Sequence, residues 1–489
     1  SQVSGGEVID LNGKMMVPGF TDNHTHFLSA GYGLSSVHLK DAMTKAAFIQ
    51  RISDFCKSHP GNTWIKAGGW DNENWDGELP SKEWIDSVTG DHPIFISRYD
   101  GHMAFANSKA MQLAGVNAST ISPDGGVVVK NAKGELTGCF KDQAMDLIEK
   151  VIPEQTDAEL EEYYKAAAQH ALERGVTHVN DMGSYGGWKD LATYRRVTEK
   201  NHSLIRMYAF MPLSTWSRLD SFVQKNGRGD DMLKWGGLKG YVDGSLGSTT
   251  AWFHQPYLDD PASTGLTITD TTDLRNWVKG ADKAGLHVAV HAIGDRANDF
   301  ILSVYEDADK SNGSRDRRFR VEHAQHVRLE SIENFAKQDV IASMHPYHLV
   351  DDGIWAYKRL DEKRLRGTYA FKEMMNKGVQ VTFGSDWPVA PVDALFGIYA
   401  AVTRQTGDGK NPNGWYPDQK ISVDEALKSY TANNAYASFM EGKLGVLKAG
   451  YYADCAVLDQ DLHKIDPAKI KEVKVVLTIL NGKEVYKRN

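Results

Sequence analysis

The sequence predicts an α/β fold of (β/α)8-barrel type, and three observations carry that prediction. Strand-like apolar runs alternate with helical patterns: "THVNDM" after "YYKAAAQHALERG", then "GLKGYVDGS", "LHVAVHAIGD", "FRVEHAQHV", "VIASMHPYH" and "VQVTFGSDWPV". These runs are almost continuously apolar, as strands of a parallel sheet covered on both faces must be. With 489 residues the chain is long enough to close such a barrel and carry additions.

The first addition is built from the two ends. "EVIDLNGKMMV" and "VVLTILNGKEVYK" each set Asn-Gly between alternating apolar stretches, a strong hairpin signal. Residues 1–17 and 442–489 are therefore expected to form a small β-sandwich. The barrel is expected over 18–63 and 151–441. Between these barrel segments, 64–150 breaks the βα rhythm with "WIKAGGWDNENWDGELP" and "DGGVVVKNAKGELTG", where Gly, Asn and Asp cluster with tryptophans. Such composition suits a loop-rich inserted cap.

Composition narrows the function classes. A net charge of −8 gives no broad attraction to nucleic acid, which leaves a small molecule as the expected partner. No apolar run reaches the roughly 18 residues that span a bilayer, so no membrane segment is expected. Cys56, Cys139 and Cys455 are scattered and form no CxxC, against both a disulfide framework and a Cys-rich zinc site. Cytoplasmic residence is the expectation, with a removed export signal as the alternative because the chain opens at Ser1. A homodimer is expected on general frequency.

The chemistry starts at "PGFTDNHTH". His24 and His26 stand two apart on a strand, so both imidazoles project from one face. Alone the pair is ambiguous. His291 ends "LHVAVH", His323 ends "FRVEH", and Asp386 ends "VQVTFGSD". Catalytic groups of a (β/α)8 barrel gather at strand C-termini. Four imidazoles and a carboxylate there match the nitrogen and oxygen donors of a zinc-type site with an open position.

The chain resembles the amidohydrolase superfamily, and within it the YtcJ-like branch that includes N-substituted formamide deformylase. The matching stretches are "PGFTDNHTH" (18–26), "GGWDNENW" (68–75), "DGHMAFAN" (100–107), "GVTHVND" (175–181), "LKGYVDGSLGSTTA" (238–251), "VHAIGD" (290–295), "VEHAQHV" (321–327), "FGSDWPV" (383–389) and "LGVLKAGYYADCAVLD" (444–459). The resemblance implies one or two divalent ions, zinc by ligand type. It also implies that Lys239, at the end of the fourth strand, has reacted with carbon dioxide to give a carbamate ligand. Metal ligands are thus expected at His24, His26, Lys239, His291, His323 and Asp386, with Asp386 also the catalytic proton shuttle.

Substrate contacts are expected from Trp70, His102, Trp252, His345, Tyr347 and Trp387, which lie at or just after these stretches and combine ring bodies with polar tips. Asp243 joins them through the resemblance, its alternative being a turn after the fourth strand. Nearby residues carry plainer readings. His326 is expected beside the site rather than in it, His178 in the core, and Asp295 as a helix N-cap or a pocket residue.

The expected reaction is hydrolysis of a C–N bond in an amide-type substrate, an N-acyl or N-formyl amine, by metal-activated hydroxide. One alternative is a mononuclear deaminase of ring amidines. Enzymes of that kind resemble this chain but carry a Glu three residues after the fifth-strand His, where this chain has Gly294. A second alternative is a non-catalytic scaffold, discounted by the retention of all six ligand positions. No G-x-G-x-x-G opens a strand–helix unit and no P-loop is present, which argues against nucleotide chemistry.

Overall fold

The computed structural model describes residues 9–59, 61–66, 68–98, 103–124, 126–183 and 186–488. The chain divides into two compact units, Ser29–Ala167 and the rest. No helix among the described residues is long and apolar enough to cross a membrane.

The larger unit is the barrel. Its strands are β1 (Phe20–Thr25), β2 (Val176–Asp181), β3 (Arg206–Pro212), β4 (Leu233–Tyr241), β5 (His287–Ala292), β6 (Arg320–His323), β7 (Ile341–Met344) and β8 (Val381–Phe383). They pair in parallel, in chain order, as one eight-stranded sheet. Closure comes just past β8: Asp386 N donates to the His24 carbonyl at 2.8 Å, and His26 N donates to the Trp387 carbonyl at 2.8 Å. Every residue of β1, β2, β6, β7 and β8 is buried, as strands covered on both faces are, although β1 (FTDNHT) and β6 (RVEH) are mostly polar and bring those side chains into the barrel.

The helices follow their local signals. Thr271–Lys283 starts where the Asp270 side chain accepts from the amides of Thr272 and Asp273, and it buries Leu274, Val278 and Ala281, one stripe at helical spacing. Asp295–Asn312 departs from expectation. Its N-cap is Gly294, while Asp295 is the first helical residue and accepts from His254 N at 2.8 Å. Asp295 therefore pins the loop after β4 instead of capping its own helix.

The chain ends meet, but in one four-stranded antiparallel sheet rather than a sandwich among the described residues. Its order is Met15–Pro18, Cys455–Leu458, Val475–Leu480, Lys483–Lys487. The last two strands form the expected hairpin, with Asn481 and Gly482 at φ 53° and 75°, the left-handed pair that a two-residue turn requires. Asn12 and Gly13 take similar angles, 50° and 81°, while residues 1–8 lie outside the described residues. This sheet and the barrel share one unit. Arg206 on β3 reaches Asp454 through Nε at 2.6 Å, with both side chains buried.

The inserted unit starts earlier than composition suggests and has its own architecture. Four antiparallel strands run in the order Phe95–Ser97, Met103–Ala106, Leu136–Asp142, Gly126–Lys130. Alternation along them feeds two cores: Ile96, Phe105 and Cys139 into one, Phe95, Ala104 and Phe140 into the other. The helix Lys45–Ser58 adds Phe48, Ile52 and Cys56 to the first core, beside Trp70, Trp75 and Ile85. That shared packing moves the start of the unit from 64 to Ser29 and makes it a folded module, not a run of loops.

Candidate metal centre

The strand C-termini place their donors as the topology requires. His24 and His26 come from β1, Lys239 from β4, His291 from β5, His323 from β6 and Asp386 from just after β8. His323 and Asp386 have φ of 72° and 62°, left-handed values that non-glycine residues rarely adopt and that concentrate at functional sites. Beneath them, Asp22 accepts from the amides of His24 (3.1 Å) and Ser385 (2.9 Å), tying the first strand to the last.

The donor atoms converge. His26 Nε2 lies 3.0 Å from Asp386 Oδ1, and His24 Nε2 lies 3.4 Å from the same oxygen. Lys239 Nζ is 3.1 Å from His24 Nε2. The rings of His291 and His323 are 4.4 Å apart between centroids. Three overlapping triads, His24–His26–Asp386, His24–His323–His345 and His323–His348–Asp386, each bring their ligand atoms within 4.8 Å of one another.

Electrostatics prepares these groups as ligands. Burial, followed by Lys239, holds His24 well below the usual histidine range, and the same causes lower His291 to about 4. His323 is lowered by burial and by His291, and His345 to about 3 by burial and His348. All four are neutral at pH 7, as lone-pair donors must be. Burial opposes ionisation of Asp386, but His24 and His26 outweigh it and hold the carboxyl well below its ordinary value. Lys239 is lowered to about 8 by burial.

Two carboxylates stand behind the donors: Glu322, to which the sequence assigns no role, and Asp243, expected as a substrate contact. Glu322 Oε2 accepts from His24 Nδ1 at 2.6 Å, an arrangement that turns His24 Nε2 toward the cluster. Arg320 Nε at 2.7 Å and Ser343 Oγ at 2.7 Å complete the Glu322 carboxylate, and all these side chains are buried. The one available signal was "RVEH", where Arg320 and Glu322 share a strand face. Asp243 accepts from the amides of Trp252 (2.7 Å), Ile293 (3.0 Å) and Gly294 (2.8 Å). Its carboxylate thereby fastens the loops after β4 and β5, and its Oδ1 also lies 3.5 Å from His291 Nε2, behind the donor cluster rather than in the lining of the cleft.

Of the other expected contacts, His345 sits within the donor cluster and the rest scatter. Trp252 is half-buried against Arg296, whose guanidinium sits 4.3 Å from the ring. Trp387 is buried and stacks on His170, with centroids 5.3 Å apart. Tyr347 packs on Phe396, and Trp70 lies in the core of the inserted unit, donating its indole N–H to the Ile96 carbonyl at 2.9 Å. These four aromatics pack where they stand, each satisfied by a neighbouring ring, cation or carbonyl. His102 lies outside the described residues. His326 bonds Thr368 and Gln325, and His178 is a buried strand residue, as expected of both. The cleft over the donors, about 440 Å³, is lined beyond them by Tyr241, Leu246, Gln325, His348, Asp352 and Trp355. A larger cleft, about 850 Å³, lies around Arg315, Arg317 and Arg318 and holds none of the donors.

The donor set suits a cation. His323 Nδ1 and both ring nitrogens of His345 are buried without a hydrogen-bond partner, and an electron-pair acceptor would satisfy donors of this kind. The comparisons with known proteins agree. An amidohydrolase family model matches residues 7–486. The chain belongs to the amidohydrolase family. Its relatives include Protein LONG AFTER FAR-RED 3 of Arabidopsis thaliana, 39% identical over 98% of this chain and 83% of that one. The putative amidohydrolase YtcJ of Bacillus subtilis is 33% identical over 99% and 91%. N-substituted formamide deformylase of Arthrobacter pascens is 25% identical over 99% and 90%. Among solved structures, an uncharacterized metal-dependent hydrolase of Pyrococcus horikoshii superposes with a TM-score of 0.79 at 31% identity, covering 95% of this chain and 90% of that one. This amidohydrolase is accordingly a hydrolase. Its Gly294 also weighs against the deaminase alternative: a Cβ there would lie 2.2 Å from the Trp252 carbonyl oxygen, so no acidic side chain fits.

Proposed function

We propose that this amidohydrolase cleaves the C–N bond of a small amide-type molecule, an N-acyl or N-formyl amine, using one or two zinc ions. His24, His26, His291, His323 and Asp386 would hold the metal, with Lys239 as its carbamate. A bound divalent cation supplies Lewis acidity toward a carbonyl oxygen and lowers the pKa of water to about 7. The remaining work falls to the chain. Neutral imidazoles offer their lone pairs without first losing protons. With its amine lowered to about 8, Lys239 is roughly one-tenth neutral at pH 7, and that form can add to carbon dioxide and lose a proton. Asp386, ionised and facing the cleft, is placed to take a proton from water and return it to the leaving amine. Tyr241, Leu246 and Trp355 supply ring and aliphatic surface for a small substrate.

The observation that carries this reading is the His24–His26–Asp386 triad, its ligand atoms within 4.8 Å, at the mouth of a barrel belonging to this family. The relationship to N-substituted formamide deformylase supports the choice of bond. The test is to load the protein with zinc and screen N-formyl and N-acyl amines for released amine. Release from at least one member of the panel is expected, whereas ammonia release from ring amidines alone would overturn the reading. Asp386→Asn should lower kcat by about 10²–10⁴-fold when assayed at zinc concentrations high enough to keep the site filled. Normal turnover in that variant would remove the proton role from Asp386.

A further inference from the structure

We propose that His345 is a direct metal ligand, a further imidazole in a centre that the six expected donors do not complete. The inference rests on the reading of this site as a metal centre and adds a residue to it. His345 directly follows β7 and is 1% exposed. Neither of its ring nitrogens makes a hydrogen bond. Leaving a buried polar group unsatisfied is destabilising, so a side chain held in this state calls for a partner at the same place.

The surroundings say what that partner is. The ring centroid of His345 is 4.8 Å from that of His24 and 4.6 Å from that of His323. Ligand nitrogens of the three side chains fall within 4.8 Å of one another. His24 already commits Nδ1 to Glu322, which leaves Nε2 on the side of the cluster. His323 Nδ1, like both nitrogens of His345, is buried and unsatisfied. Three neutral imidazoles meeting at one point present lone pairs, and a divalent cation accepts several at once. Nitrogen donors in this number favour a borderline ion such as zinc or cobalt over magnesium or calcium.

The experiment compares the parent with His345→Leu, which keeps similar bulk and removes both nitrogens. Zinc affinity is measured by chelator competition, thermal unfolding with and without zinc, and the visible spectrum after cobalt(II) loading. Zinc-free His345→Leu should unfold at or above the temperature of the zinc-free parent, because an unsatisfied polar group has been replaced by an apolar one. Zinc should bind at least tenfold more weakly, and the cobalt spectrum should change. Unchanged zinc affinity together with an unchanged cobalt spectrum in the folded variant overturns the proposal. Should His345→Leu not fold, His345→Gln is read by the same two criteria. A parent that takes up neither zinc nor cobalt overturns the metal-centre reading itself, an outcome distinct from a metal-loaded parent matched by its variant.

Discussion

At the scale of single residues, the orientation of His24 depends on a carboxylate outside the cluster. Glu322 accepts a hydrogen bond from His24 Nδ1–H, so the tautomer with a free Nε2 is selected before any ion arrives. Arg320 balances the Glu322 charge and donates to the Asn23 carbonyl at 2.7 Å, one residue from the ligand it serves indirectly. Glu322→Gln should therefore weaken zinc binding by about 10–100-fold. It should also destabilise the zinc-free fold by about 3–5 kcal/mol, because Arg320 would stay buried without its counter-charge. Chelator competition and urea unfolding read the two effects separately. A variant with parental zinc affinity would show that Glu322 serves packing alone.

Among elements, the terminal sheet is held to the barrel by a buried ion pair. Arg206 on β3 meets Asp454, which also accepts from Asn481 N at 2.7 Å, so one carboxylate joins β3 to the final hairpin. Asp454→Asn keeps the shape and removes the charge. Stability should fall by about 3–5 kcal/mol, since the Arg206 guanidinium remains desolvated. Zinc affinity should not change, because the pair contributes no donor to the cluster. Urea unfolding with parallel zinc titration checks both statements.

For the whole molecule, the buried histidines make stability depend on pH. Burial lowers His178 and His326 to about 3, and His287 well below the usual range. In the unfolded chain each titrates near 6.5. As pH falls below about 6.5 the unfolded chain binds protons that the folded chain refuses, so each such histidine costs about 1.4 kcal/mol of stability per pH unit. The cost accumulates until the folded-state value is reached, near 3 for His326. These histidines should thus withdraw stability between pH 6.5 and 4, against the opposite contribution of Asp22, Asp190 and Asp243, which burial raises to about 6, 8 and 7. His326→Gln should reduce that slope by about 1.4 kcal/mol per unit. Urea unfolding at several pH values decides this, and an unchanged slope would mean that His326 is protonated in the folded state.

Much of this architecture is readable along the chain. Period-two spacing placed His24 and His26 on one strand face, apolar runs announced parallel buried strands, and Asn481-Gly482 announced its hairpin, because each signal lies within a few bonded residues. The expected donors at His291, His323 and Asp386 were legible for the same reason, as ends of recognisable strands. Lys239 was legible only through family resemblance. The partnership of Glu322 with His24 spans 298 positions, and the strand registers that create it leave no local mark. The unsatisfied nitrogens of His345, the packing of Trp252 and Trp387 away from the cleft, and the commitment of Asp243 to three amides were likewise decided only in three dimensions. Local spacing dictates which way a side chain leaves its own strand. What it meets there is set by the closure of the barrel, which brings distant segments into contact.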